Sequence, residues 1–278
     1  MDLWFTEFQT KNLGMKVRVK ETLYMGKSQF QDVAVIDTEQ FGRMLVLDGV
    51  FQTSIKDEFT YHEMIAHVPM LTHPNPKRVL VIGGGDGGTI REVVKHAALE
   101  KAEMVEIDGV VVEVSKQFLP EISEALLNNH PKVELKICDG IQHMKDADGI
   151  YDVIIVDCSD PIGPGEGLFT GAFYKDVYKA LKPDGLFVQQ TESPFFHQEL
   201  IRYLHKEISA LFPVTRMYLS NVPLYPGGMH SFTMGSKKYD PLAIEVPETP
   251  FATRYYNKDL HKTCFSLPGF VKDLTGSK

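Results

Sequence analysis

Only three cysteines (Cys138, Cys158, Cys264) and one tryptophan occur in 278 residues. The cysteine count is odd and no pair has C-x-x-C spacing, so neither a disulfide framework nor a zinc ribbon is expected, and all three read as reduced packing residues. No apolar run approaches the roughly 18 residues of a membrane span. The opening MDLWFTEFQTK lacks the basic and apolar blocks of a secretory leader, which makes a cytoplasmic location the expectation. Basic residues are in the minority, 29 Lys and Arg against 37 Asp and Glu, and no basic cluster offsets the net charge of −8. Nucleic acid and membrane surfaces are therefore not expected partners, whereas a cationic substrate suits the chain. The 43% of hydrophobic residues suffices for one large core, or a core with a small appended domain.

Two rhythms divide the chain. From about residue 15 to 55 the pattern has period two, as in MKVRVKETLY, FQDVAVID and GRMLVLDGVFQT, with turn signals at Gly26-Lys27, Glu39 to Gly42 and Asp48-Gly49. Residues 1–57 thus read as a small N-terminal antiparallel β domain. Residues 58–77 read as a linking helix, with Phe59, Met64, Ile65, Val68 and Leu71 near one face, ended by Pro74 and Pro76. From 78 to 278 apolar strands alternate with amphipathic helices, which predicts an α/β domain whose parallel sheet carries helices on both faces. In such sheets ligands sit beyond the carboxyl ends of the strands. Asp86, Glu106, Asp108, Asp139, Asp157, Asp160 and Glu192 all fall there.

The stretch VLVIGGGDGGTIRE fits a dinucleotide loop, with Gly83, Gly85 and Gly88 in G-x-G-x-x-G spacing, except for the carboxylate in its middle. Backbone N–H groups and the helix dipole make such a loop attractive to phosphate. Asp86 opposes that: at ~4 Å two like charges repel by about 4 kcal/mol at an effective dielectric of 20. Asp86 is read either as a cap for the helix starting near Gly88 or as a partner for a cation. Glu106, about 20 residues on, suits ribose hydroxyls. A nucleoside that lacks phosphate but carries positive charge is an adenosyl sulfonium. Methyltransferases resemble this strand and loop but usually carry an acid where this chain has Val81. The acid in the loop favours a bare aminopropyl tail over one ending in carboxylate.

In IIVDCSDPIGPGEGLF, Asp157 ends a strand and can deprotonate an incoming amine. Asp160 either starts a turn with the following Pro or grips that amine. Asp160, Glu192 and Tyr225, the last on the rigid loop VPLYPGGM, are candidate anchors for a second positive charge, the ring by cation–π contact. The glycines of 163–169 mark a candidate lid. His62, Glu63 and His67 miss the zincin spacing, because Ala66 occupies i+4 and the second histidine falls at i+5; no metal is expected.

These motifs, with FQDV at 30–33, DEFTYHEMIAHVP at 57–69, GGGDGGTIREV at 83–93, EID at 106–108, DCSDPIGP at 157–164 and YPGG at 225–228, resemble the spermidine synthase family over essentially the whole chain. The resemblance implies a Rossmann-like, methyltransferase-type sheet. It also implies transfer of the aminopropyl group of decarboxylated S-adenosylmethionine, a co-substrate rather than a prosthetic group, to putrescine, giving spermidine and methylthioadenosine. Carried over, Asp157 is the catalytic base and Asp160 grips the acceptor. Gln31, Glu106, Asp139, Gly140 and Pro164 hold the thioadenosine part, with Asp86 at the donor's tail. Tyr61, His62, Asp86 and Tyr225 line the aminopropyl and polyamine channel. A homodimer or homotetramer is implied. One residue departs from the pattern: His230 stands where many bacterial members have Trp, which alters the aromatic wall of the acceptor pocket. An amine N-methyltransferase and a non-catalytic polyamine-binding protein are the alternative readings of the residues.

Overall fold

The computed structural model describes residues 2–161 and 163–276, with only the backbone of Pro164. Its first part is an antiparallel sheet of five strands in sequential order: β1 (Leu3–Thr10), β2 (Leu13–Lys27), β3 (Asp32–Thr38), β4 (Gly42–Leu47) and β5 (Val50–Ser54). Alternation places Val17, Val19, Ile36, Met44, Val46 and Phe51 in its core. β1 precedes the segment read as period two, and β2 runs unbroken through Gly26-Lys27, with its turn at Ser28 to Gln31.

α1 (Phe59–Thr72) follows. Every residue from Thr60 to Met70 is buried, so it presents no solvent face where a single apolar stripe was expected. Its polar side chains have partners instead of water. Glu63 accepts backbone N–H bonds from Arg254, Tyr255 and Tyr256, each at 2.8 Å, which straps a C-terminal segment across the helix.

The second sheet contains β6 (Arg78–Gly83), β7 (Lys101–Glu106), β8 (Val133–Ile137), β9 (Tyr151–Asp157), β10 (Leu181–Gln190), β11 (Val214–Asn221) and β12 (Met229–Ser236). The strand order is β11-β12-β10-β9-β6-β7-β8. Five strands pair in parallel, as the βα rhythm predicts, but β12 is antiparallel to both its neighbours. The sheet is therefore mixed. No helix separates β11 from β12, so the chain returns by a loop, and a loop return reverses direction.

Helices α2 (Gly88–Val93), α3 (Gly109–Phe118) and α4 (Glu124–Leu127) follow β6 and β7, with α5 (Gly140–Asp146) after β8 and α6 (Gly171–Ala180) after β9. α7 (Gln198–Ser209), α8 (Lys258–Thr263) and α9 (Gly269–Thr275) complete the chain. Along β6, Val79 and Val81 pack with α1 and α2, while Leu80 and Ile82 pack with α5, α6 and α7. Both faces are thus covered. Chain progression reverses between β6 and β9, the place where an open sheet leaves a crevice at its carboxyl edge. No helix among the described residues is long and apolar enough to cross a membrane.

Candidate active site

The tips of β6 and β9 meet at that crevice. Gly83 pairs with Asp157, and the Gly84 N–H donates to the Asp157 carbonyl at 2.8 Å. Gly83 has φ +81°, and a Cβ there would collide with the same carbonyl oxygen, so only glycine lets the strands approach this closely.

The Asp157 carboxylate is fixed at both ends. The Tyr61 hydroxyl donates to Oδ1 at 2.7 Å and Thr89 Oγ1 donates to Oδ2 at 2.6 Å. Burial, reinforced by the negative charge of Asp86, holds its pKa above the ordinary carboxylate range. An acid so placed takes a proton more readily than a free one.

Asp86 stands one residue before Gly87, which is the N-cap of α2 and has no side-chain cap. Its Oδ1 accepts the Gly88 N–H at 2.8 Å where α2 begins, and its Oδ2 lies 3.3 Å from His62 Nε2. His62 Nδ1 is 2.6 Å from Glu58 Oε2, which also receives Arg91 Nη2 at 2.7 Å. Burial alone would strip the proton from His62, but the two carboxylates outweigh it and raise its pKa well above the usual imidazole value. Asp86 is likewise pushed up by burial, yet the imidazolium prevails and holds it below its ordinary value. The loop therefore carries a shared charge rather than a bare anion, and its repulsion of phosphate is weaker than the sequence alone implies. Gly88 is needed for this array, since a Cβ would run into the His62 ring.

Glu106 ends β7 and accepts the Asp108 N–H at 2.8 Å through Oε1. Burial pushes its pKa up to about 7. A Cβ at Gly85 would stand 3.1 Å from its Oε2, so the second loop glycine keeps the space above this carboxyl open. Gln31 reaches from the first sheet and donates to Asp108 Oδ2 at 2.9 Å, joined there by Ser28 Oγ at 2.6 Å. Asp139 caps α5, accepting the Ile141 N–H at 2.7 Å, and Gly140 packs against Ile82. Pro164 lies on the 3₁₀ turn Gly163–Phe169, and its side chain is outside the described residues.

A cavity of about 400 Å³ joins these groups, lined by Gln31, Tyr61, His62, Asp86, Glu106, Asp139, Gly140, Asp157, Asp160 and Tyr225 among others. No lysine or arginine occurs among its described lining residues. Tyr225 donates to the Gln52 carbonyl at 2.9 Å and sets its ring edge-on to Tyr61. A second cavity of about 50 Å³ opens beyond Tyr61, Asp160 and Tyr225, walled by Glu7, Glu192, His197 and His230. Burial, then the charge of Asp160, pushes Glu192 up to about 8. Glu192 also adopts φ +68°, unusual for a side-chain-bearing residue and a mark of strain held at a site.

Several of these residues escape a reading of the sequence. Glu58 had a signal, standing four residues before His62 on a helix. Glu7 had none: it comes from the first strand, where its Oε2 accepts the Phe51 N–H at 2.8 Å. His67, by contrast, turns away from His62 toward His96 at 3.0 Å and Glu92 at 3.1 Å, so the His62-Glu63-His67 run does not converge.

Residues 58–245 match the spermine/spermidine synthase domain and residues 3–54 the spermidine synthase tetramerisation domain. A polyamine aminopropyltransferase of Caldicellulosiruptor saccharolyticus is 56% identical over 99% of this chain and 98% of its own. That of Moorella thermoacetica is 53% identical over 98% and 95%. Among solved structures, a spermidine synthase in complex with the transition-state analogue AdoDATO superposes with TM-score 0.96 at 41% identity, over 99% of this chain and 96% of its own. The spermidine synthase of Thermotoga maritima gives 0.94 at 40% identity, over 99% and 95%.

Proposed function

The chain belongs to the spermine/spermidine synthase family, and from that premise we propose that it transfers the aminopropyl group of decarboxylated S-adenosylmethionine to putrescine, releasing methylthioadenosine and spermidine. The observation that carries this reading is the pair of half-buried carboxylates, Asp86 and Asp157, at the strand tips of a cavity walled by acids and free of lysine and arginine among the described residues. Such a cavity suits two small cations that would otherwise repel each other.

In this reading the thioadenosine lies over Gly85 with its ribose at Glu106, near Gln31, Asp139, Gly140 and Pro164. Its aminopropyl ammonium meets Asp86 and His62. The putrescine nitrogen gives a proton to Asp157, then attacks the CH₂ bonded to sulfur. The new C–N bond forms as the C–S bond breaks, and the electron pair leaves on the sulfur of methylthioadenosine. Tyr61 and Thr89 keep the Asp157 carboxylate from turning. Alignment of nitrogen and carbon supplies much of the acceleration. The far ammonium of the diamine enters the smaller cavity past Tyr225 toward Asp160, Glu192 and Glu7.

The match to a tetramerisation domain over 3–54 supports an oligomer, and we take it to be a homotetramer joined through the exposed Trp4 and Phe8 of β1 and Met25 of β2. The chemistry is tested by incubating the purified protein with labelled decarboxylated donor and putrescine and weighing the products. Labelled spermidine with equimolar methylthioadenosine is the expected result; methyl transfer, or binding without turnover, would overturn it.

A further inference from the structure

The smaller cavity contains a residue that the reaction as drawn leaves without a task. His230, on β12, is 5% exposed, and neither ring nitrogen has a hydrogen-bond partner among the described residues; Nε2 is wholly buried. The imidazole is clamped by aromatic rings, edge-on to Tyr225 at 5.0 Å and 5.7 Å from Tyr61. Burial, then the neighbouring His197, drives its pKa down to about 3, so at neutral pH one nitrogen carries a free lone pair. Buried polar groups are as a rule hydrogen-bonded. Nε2 is sealed from any occupant, so Nδ1 is the nitrogen that can meet one, and an unpartnered acceptor on the cavity wall matches an occupant that brings N–H groups.

The remaining walls point the same way. Glu7 and Glu192 are both pushed up by burial, Glu192 far enough to be mostly protonated at neutral pH. The cavity thus holds less full negative charge than its carboxyls suggest, and a neutral acceptor gains in weight. An ammonium carries three N–H donors in fixed directions and needs three acceptors. At about 50 Å³ the space exceeds the roughly 10–15 Å³ that a single water requires, enough for such a head group.

The geometry points to His230 as a specificity-determining contact for the acceptor, a ring nitrogen taking a hydrogen bond from the far ammonium of the diamine whose near nitrogen lies at Asp157. This rests on the aminopropyl reading above.

The test compares 1,4-diaminobutane with n-butylamine, which lacks the far ammonium, as acceptors for wild type, His230→Phe, His230→Asn and His230→Gln. Donor KM and melting temperature are recorded alongside. His230→Phe is expected to raise the diamine KM about 10-fold, the effect of one hydrogen bond to a charged group. It should leave the donor KM and the kcat/KM for butylamine within about twofold, and Asn or Gln should restore most of the loss. A diamine KM unchanged in the Phe variant, or equal losses on both amines, overturns the inference. Absence of transfer by the wild type to either amine would instead sink the aminopropyl reading, and the inference with it.

Discussion

His62 Nε2 lies 3.3 Å from Asp86 Oδ2, so the carboxylate inside the glycine loop is held against a protonated ring. Glu58 completes the array from the other side of the imidazole. Removing the ring as His62→Ala leaves the buried Glu58 and the half-buried Asp86 facing each other, and a loss of about 3 kcal/mol is expected from denaturant unfolding. The pH dependence has a definite sign. His62 has a raised folded pKa, so its contribution is complete below about 6.5 and disappears as pH rises through the folded value. Glu58 and Asp86 are depressed, so theirs is complete above about 4.5 and disappears as pH falls through their folded values. The stability gap between wild type and His62→Gln should therefore be largest and flat between about pH 4.5 and 6.5, and shrink as pH rises above or falls below that window.

Asp157→Asn retains the shape and an oxygen for Tyr61, but cannot take a proton. Turnover should fall roughly 10²- to 10⁴-fold while methylthioadenosine binding, read by calorimetry, is retained. Full turnover in this variant would remove Asp157 from the role of base.

Asp86 and Asp157 influence each other through charge. Since the charge of Asp86 raises Asp157, the acid limb of kcat at saturating substrates should move to lower pH in Asp86→Asn. The same variant should bind the donor more weakly. A limb that stays in place would mean the observed group is not Asp157.

Gly88→Ala tests the packing that seats His62. The added methyl meets the imidazole, whose other sides are enclosed, and overpacking of this kind costs about 1–3 kcal/mol. Donor KM should rise with little change in the KM for diamine.

Phe8 is 73% exposed and Met25 is 78% exposed. Phe8→Glu combined with Met25→Glu should lower the mass measured by light scattering, at unchanged melting temperature of the isolated chain.

The sheet's outline was legible because its strands are nearly continuous apolar runs divided by amphipathic helices, and the acids at their ends follow from that register. β12 was not: its direction depends on the short return from β11, and nothing within MHSFTMGS encodes which way it runs. α1 misled for a related reason. Its apolar stripe is visible, but the burial of Glu63 and His67 depends on partners about 190 and 29 residues away. At the site, Asp86, Glu106 and Asp157 could be picked out by position. The protonation of His62 could not, since it requires Glu58, Asp86 and Arg91 to meet around one ring. Glu7 was invisible, being an ordinary strand glutamate until the first sheet folds it against β5.

That last placement puts a residue of the N-terminal sheet on the wall of the smaller cavity. A chimera that imports residues 3–54 from a relative to alter its quaternary state would also import whatever stands at position 7, and with it part of the selection among amines. On the proposed reading, assembly and the choice among amines would then be inherited together on residues 3–54.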